Sequence, residues 1–473
     1  MPPIVALIFC VILVTALLCI ERGRNRDASG ALWLPTFWLL LSGSKPIVRW
    51  FEFGEMVVEA DETGSPLDRG VLTALIVLSV GVLFKRRIQW SRILVDNRWL
   101  ILLYLYLGLS VLWSDFPDTS LKRWVRLCGI IPIALIILTE RSPLRALESV
   151  FARCAYVLIP LSLLLVKYFP NMGVAYTWDG AKMWVGVTSQ KNGLGTICAL
   201  SAFFIIWVIY KKWRTRELFN NRIHASADCL VLAIAVFLLQ GFQGAYSATS
   251  IGIMILGLSM LFILSQSKTH AGHLGTVLVI GLSVVLVLLQ SSDSVREVIT
   301  NAFNRDSSFT GRTDIWDLVV MEASKNYWFG GGYGGYWGLA DEKIVMTQGV
   351  KEAHSGYLEV YLAGGITGIV LFTLFLIEHH RKLLRVLKYE REWGLFGVCI
   401  LTMILVENFT ESVFIRTSSY FWNIMVVLSV VFSQSAGRQS VRQSVTPEPE
   451  LKLLRPGELP DPVDESRAYR TEK

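Results

Sequence analysis

Apolar residues along this chain come in long, nearly charge-free runs, not at the spacing of a soluble helix or strand. Pro2–Ile20, Gly70–Phe84, Ile130–Leu138, Gly272–Gln290 and Tyr357–Ile377 are the clearest. A helix needs about 20 such residues to cross a bilayer core, somewhat fewer at the short end. Read against the charges, the runs predict thirteen spans, at roughly 3–20, 31–50, 70–84, 99–113, 124–139, 147–166, 192–210, 227–241, 247–265, 273–290, 357–378, 394–409 and 420–434. The expected fold class is all-α, a polytopic transmembrane helix bundle of about 12–13 spans with one large periplasmic loop.

Lysine and arginine in the connections orient the bundle. With the N-terminus outside, the inner loops hold 21 basic residues and the short outer loops 7. That asymmetry satisfies the rule that cytoplasmic loops are positive. Lys45 and Arg49 sit near the outer end of the second span, so that helix ends early or lies partly in the interface. The first run lacks a basic segment before it, and Arg22, Arg24 and Arg26 follow it, so it reads as a span that stays.

Two polar segments interrupt the bundle of residues 1–434. Residues 291–356 form an outer loop of 66 residues, too long for a connector and therefore a functional element. Residues 435–473 carry five prolines (Pro447, Pro449, Pro456, Pro460, Pro462) and many charges, and read as a disordered cytoplasmic tail. No internal repeat is evident, which disfavours transporters built from inverted repeats.

Composition excludes the soluble classes. Of the 473 residues 53% are hydrophobic and 18% charged, against roughly a quarter charged in a soluble protein. All seven cysteines fall in apolar segments, so no disulfide staples the outer loops, and no Cys/His spacing suits zinc. The net charge of +7 resides in short loops that set topology, not in a folded basic domain, so nucleic acid is not an expected partner.

The candidate chemistry lies on the outer face. His354 is the one histidine there, just before the eleventh span in Lys351-Glu352-Ala353-His354-Ser355-Gly356-Tyr357. A neutral imidazole at the membrane boundary can take a proton from a hydroxyl or give one to a leaving oxygen near neutral pH. Earlier in the same loop, Asp314–Lys325 has the apolar spacing of an amphipathic helix lying on the membrane, with Thr313 or Asp314 as its cap. Arg312 then stands at a helix N-terminus, placed either to bind phosphate with its planar fork or to reach lipid headgroups. Phe329–Gly338 mixes glycines with rings. It lacks the Lys-Ser/Thr and the preceding strand of a nucleotide loop, and reads as a tight turn whose rings, Trp337 among them, face sugars or the interface. Lys191 and Asn192 enter the seventh span from outside, offering a cation and an amide, or simply an interfacial lysine. Glu407, Asn408 and Glu411 near the outer end of the twelfth span, with Arg416 after them, are costly to place there without a partner or a task.

These segments, in this order, resemble the O-antigen ligase/polymerase family and, within it, the exopolysaccharide-production branch. The stretches that carry the likeness are Leu112–Leu121, Gln190–Gly195, Gly311–Trp316, the glycine-aromatic stretch to Trp337, His354–Leu358 with Gly364–Gly368, and Glu407–Ser412. The resemblance implies an integral-membrane glycosyltransferase that polymerises undecaprenyl-diphosphate-linked oligosaccharide repeat units into exopolysaccharide or O-antigen on the outer face of the plasma membrane. It implies no cofactor, no nucleotide sugar and no metal. The partners it implies are the lipid-linked oligosaccharide, a glycan acceptor, membrane lipids and polysaccharide export machinery. It makes Arg312 and His354 the essential pair, with His354 either assisting deprotonation of the acceptor hydroxyl or holding the diphosphate. Family members often carry a further base at the start of the ninth span, where this chain has Ser247-Ala248-Thr249-Ser250, and Lys191 is the candidate substitute. Asn192, Glu411, Arg416 and Trp337 complete the expected substrate contacts. A ligase using lipid A core as acceptor is the alternative within the family. A flippase for the lipid-linked oligosaccharide is the alternative outside it, and would want charges deep within the spans.

Overall fold

The computed structural model describes the chain except residues 52–64, 177–179, 217–221, 243–244, 268, 292–311, 336, 338–351 and 446–473, and describes backbone alone at 289–291, 312–314 and 435–445. Each of the thirteen apolar runs falls on a helix. In order these are α1 (Pro3–Arg24), α2 (Trp33–Ser42), α3 (Pro66–Phe84), α4 (Trp90–Asp96), α5 (Arg98–Leu109), α6 (Pro117–Cys128), α7 (Ile130–Leu138), α8 (Pro143–Tyr168) and the single turn α9 (Pro170–Gly173). A two-stranded antiparallel hairpin, β1 (Val174–Tyr176) and β2 (Lys182–Trp184), follows. Then come α10 (Lys191–Arg214), α11 (Arg222–Leu239), α12 (Ala248–Gln266), α13 (Ala271–Ser291), α14 (Arg312–Ala323), α15 (Gly356–Tyr389), α16 (Arg391–Thr410) and α17 (Tyr420–Val445). Met1–Ala436 form one compact unit and Gly437–Lys473 a second.

Among the described residues nine helices are long and apolar enough to cross a membrane by themselves. One further pair is apolar enough only when taken together, Trp90–Asp96 and Arg98–Trp113, which meet at 82°. The remaining runs give shorter helices for local reasons. α2 stops at Ser42, ahead of Pro46, which has no N–H to continue a helix, and Ile47–Trp50 form only a 3-10 turn. The 124–139 run is divided between α6 and α7 at Gly129, where an added Cβ would meet the ring of Trp38 and the side chain of Ile76. Helices α8, α10 and α16 are largely enclosed by their neighbours, whereas α1 and α13 turn most of their residues outward. The tail beyond Val445 lies outside the described residues, and α17 continues as helix through positions expected to be tail.

Polar cross-links between helices gather at two ends of the bundle. At one end Arg24 pairs with Asp228 (3.1 Å), Arg86 with Glu140 (2.6 Å), Arg153 with Glu21 (2.6 Å), and Arg391 donates to the Ser265 carbonyl (3.0 Å). At the other end the Lys45 N–H donates to the Val187 carbonyl (2.8 Å), Lys45 Nζ to Met172 O (3.1 Å) and Asn192 Nδ2 to Glu411 (2.8 Å).

Helix α15 is discontinuous. At Gly365 the backbone takes φ 60° and ψ −157°, a conformation essentially confined to glycine. The segment Tyr327–Gly331 enters the gap. The Ile366 and Thr367 N–H groups, orphaned where the helix restarts, donate to Tyr327 O (3.0 Å) and Trp328 O (3.1 Å), and Gly331 N donates to Leu362 O (2.8 Å). Tyr106 clasps the break from α5, its hydroxyl donating to Gly364 O (2.6 Å). A Cβ at Gly365 would lie 2.5 Å from the Trp328 carbonyl carbon. Gly365→Ala is therefore expected to cost about 1–3 kcal/mol and to lower the thermal midpoint in detergent. Gly281→Ala, where nothing lies within 4 Å, serves as the neutral comparison. Equal midpoints for the two variants would show that the break is not constrained.

Candidate functional site at the outer ends of the helices

His354 is held in a turn whose every neighbour is tied down. Glu359, in the first turn of α15, accepts from the Ala353 N–H (2.9 Å) and from Trp337 Nε1 (2.9 Å). Trp316 of α14 donates from Nε1 to Ala353 O (3.0 Å), and the Gly356 N–H donates to Glu411 O (3.1 Å). Ala353 and Ser355 are fully buried. Gly356 has no alternative, since a Cβ there would collide with Asn408 Oδ1. Between these anchors His354 takes φ 48°, an uncommon conformation for a residue with a side chain. The backbone fixes His354 while its imidazole stays partly exposed.

Two acids stand near that imidazole and tie it to other segments. Glu352 presents one carboxylate oxygen 3.3 Å from His354 Nδ1, and its other oxygen pairs closely with Arg416 of the α16–α17 connection. Glu411, at the end of α16, accepts from Asn192 Nδ2 in the first turn of α10. Ligand atoms of Glu352, His354 and Glu411 all lie within 4.8 Å of one another, which would suit a cation by distance alone. The Arg416 guanidinium on Glu352 opposes that use, placing a positive charge where the ion would need a negative one. One turn below Glu411, the buried Glu407 receives the Thr196 hydroxyl. Asn408 Oδ1 accepts from Val413 N (3.2 Å) and Phe414 N (2.9 Å), shaping the loop that carries Arg416.

Of the residues singled out in the sequence, His354, Asn192, Glu411 and Arg416 come together here. Trp337 joins through Glu359. Lys191 starts α10 beside Asn192, half-buried, where the N–H groups of the first turn have no helical acceptor. Arg312 begins α14, but its side chain lies outside the described residues, as do those of Thr313 and Asp314. Two expectations need correcting. The apolar stripe of α14 does not simply lie on lipid: Ile315, Val319 and Ala323 are buried with Ala353 and Leu362, and Trp316 is buried against Phe409. The glycine-aromatic turn does not present all its rings outward either. Gly330, Gly332 and Gly334 have positive φ (69°, 89° and 68°). The turn drives Tyr333 inward, where its hydroxyl donates to Ile415 O (2.7 Å) and its N–H to Ser110 Oγ (2.9 Å). Tyr336 lies outside the described residues.

The start of α12 also has a packing reason for lacking a base. Ser247 and Ser250 are buried against Gly195 of α10, and Ser247 Oγ caps α12 by accepting from Ser250 N. A long side chain at either position would meet α10. Glu352 and Glu359 were not legible as site residues. The available signal was an acid two positions before a boundary histidine and another five after it.

Comparison with known proteins bears on this arrangement. Residues 229–373 match the family model described as O-antigen ligase. Over 326 residues the chain is 24% identical to the exopolysaccharide production protein ExoQ of Rhizobium meliloti (strain 1021), an alignment covering 66% of this chain and 72% of the relative. Both point to the O-antigen ligase/polymerase family. The exopolysaccharide-production branch is the one indicated, as the ordered segments suggested. With its apolar helices, the chain is a multi-pass protein of the inner membrane. The matched segment runs from within α11 into α15 and includes His354, while Asn192, Glu411 and Arg416 come from outside it.

The Glu352–Arg416 pair ties the histidine turn to the α16–α17 connection. Replacing either residue by alanine is expected to lower stability, and the double variant to lose less than the sum. A double-mutant cycle on thermal or denaturant unfolding should give a coupling of about 0.5–3 kcal/mol. A coupling near zero would show the pair to be incidental.

Proposed function

We propose that the chain is an integral-membrane glycosyltransferase that polymerises undecaprenyl-diphosphate-linked repeat units on the outer face of the inner membrane. The matches support the coarser statement, a membrane-embedded polymerase or ligase acting on lipid-linked glycans. The observation that carries the finer reading is the convergence on His354 of Glu352, Glu411 with Asn192, and Arg416 at the outer helix ends.

In this reading an acceptor hydroxyl oxygen forms the new bond to the anomeric carbon of the donor glycan. The bond from that carbon to the diphosphate oxygen breaks, and the lipid diphosphate leaves with the electron pair. His354 receives the hydroxyl proton at Nε2, while the Glu352 carboxylate beside Nδ1 favours the imidazolium that results. Charge grows on the departing diphosphate, so cations and helix N-termini aimed at it lower the barrier. Arg312 at the start of α14, with Lys191 and the first-turn N–H groups of α10, supplies that set. Asn192 and Glu411 hydrogen-bond sugar hydroxyls, and Trp337, whose ring Glu359 orients through Nε1, stacks on a sugar face. Export machinery is the partner that would take up the product. The family description favours a ligase and the name of the relative favours polymer production; the two reactions differ in the acceptor alone.

Purified protein in nanodiscs, given lipid-linked repeat units, tests the reading. Arg312→Ala and His354→Ala should each abolish chain extension while the protein stays folded, and Lys191→Ala should slow it. Extension at the wild-type rate by either of the first two would end the assignment, and full yield from Lys191→Ala would remove that residue from it.

A further inference from the structure

Lysines that stand over aromatic rings are of two kinds in this chain. Lys211 lies 5.0 Å from the Trp207 ring centre and pairs with Glu148, and Lys45 lies 4.7 Å from that of Trp50 and donates to the Met172 carbonyl. Lys167 and Lys182 have rings alone. Lys167, at the end of α8, stands 5.0 Å from the Phe237 ring and 5.5 Å from the Trp184 ring. Lys182, on β2, stands 4.8 Å from the Phe242 ring. Among the described residues neither ammonium has an ion pair or a hydrogen bond. Arg98 and Arg214 also lie over a ring without an ion pair, but each over one ring of its own helix. The two lysines instead come from different segments onto one joined set, in which Trp184 packs 5.4 Å from Phe237 and 6.2 Å from Phe242.

A ring attracts a cation through its quadrupole and brings no negative charge. Both ammoniums are therefore held with their charge intact, and each has three donors, more than a ring face engages. Their location follows from the backbone. The open edges of a two-stranded hairpin cannot be satisfied in hydrocarbon, which puts β1–β2 beyond the bilayer core. From β2 the chain passes Val187, whose carbonyl takes the Lys45 N–H, into α10, where Asn192 bonds Glu411. The lysines thus lie at the end of the bundle that carries His354. Tyr176 is the cross-strand partner of Lys182, so the two side chains share a face of the hairpin, and the Tyr176 ring is exposed.

We propose that Lys167, Lys182 and Tyr176 form a second glycan subsite, which binds a carboxylate-bearing sugar in the chain beyond the reacting unit. The exposed ring offers its face to a pyranose, and the compact ammoniums meet a carboxylate as point charges. The words beyond the reacting unit rest on the glycosyl-transfer reading. Binding of an acidic glycan at the hairpin does not.

The test uses the full chain in nanodiscs of phosphatidylcholine. The probes are a galacturonic acid tetrasaccharide, its methyl ester (the same rings without the charge) and, separately, phosphatidylglycerol added to the bilayer. Sugar binding is read by calorimetry, and protection of Lys167 and Lys182 from acetylation by peptide mass spectrometry. The galacturonide should protect both lysines and bind about tenfold or more tighter than its ester, the worth of one charge-assisted hydrogen bond. Lys182→Gln should weaken the galacturonide by a similar factor, Lys182→Arg should restore most of it, and Tyr176→Ala should weaken galacturonide and ester alike. The proposal falls if the galacturonide leaves both lysines of the wild type unprotected or binds no better than the ester, measurements that need no variant to fold. Protection by phosphatidylglycerol and not by galacturonide would make the lysines lipid anchors and overturn it too. No turnover enters these readouts. Normal extension by His354→Ala would therefore end the glycosyl-transfer reading and leave the subsite, and equal binding of galacturonide and ester would do the reverse.

Discussion

A charge placed between membrane helices must be given a partner, and the architecture of this chain follows from how that demand is met. At one end of the bundle it is met from within. Arg153 reaches Glu21, Arg86 reaches Glu140, and Arg24 and Lys212 share Asp228, all but the last joining segments far apart in sequence. These pairs fasten α1 to α8 and α11, α10 to α11, and the end of α3 to the end of α7. At the other end a cluster of ionisable groups stands around His354, whose imidazole is partly exposed. One end of the bundle is a lock and the other is a site.

The site is rigid because its supports are shared. Glu359 serves Ala353 and Trp337 together, and Glu352 faces His354 with one oxygen and Arg416 with the other. Asn408 leaves no space for anything but glycine at 356 and also shapes the loop that presents Arg416. A second support runs through the broken helix α15, where Tyr327–Gly331 fills the gap at Gly365 and leads into the turn that buries Tyr333. Side chains from α5, α6, α10, α14, α15 and α16 are thereby brought to one end of the bundle. A residue held on several elements keeps its position better than one on a loop alone.

Much of this was legible in the chain because bilayer physics is blunt. A run too long and too apolar for water is expected to be helical, and each run is so over most of its length, though those at 31–50, 124–139 and 357–378 are cut short, divided or broken. His354, Asn192, Glu411 and Arg416 could be picked out because polar residues at the outer ends of apolar runs are expensive to place without a task. What could not be read depends on tertiary contact. The run Tyr357–Ile377 is unbroken in composition, and only Gly364-Gly365 hints that α15 is interrupted. Tyr333 looks like a surface ring until the positive φ values of its flanking glycines turn it inward. Glu352 lies two residues from His354, but spacing alone does not say that its other oxygen is taken by Arg416.

The measurement that bears most directly on the central claim is the glycan profile of a strain lacking this chain, with lipid-linked and polymeric glycan resolved. The account predicts that single lipid-linked repeat units accumulate and long chains disappear, and that wild-type protein restores the chains while His354→Ala does not. A deletion strain that still makes normal long chains and exports them would contradict it.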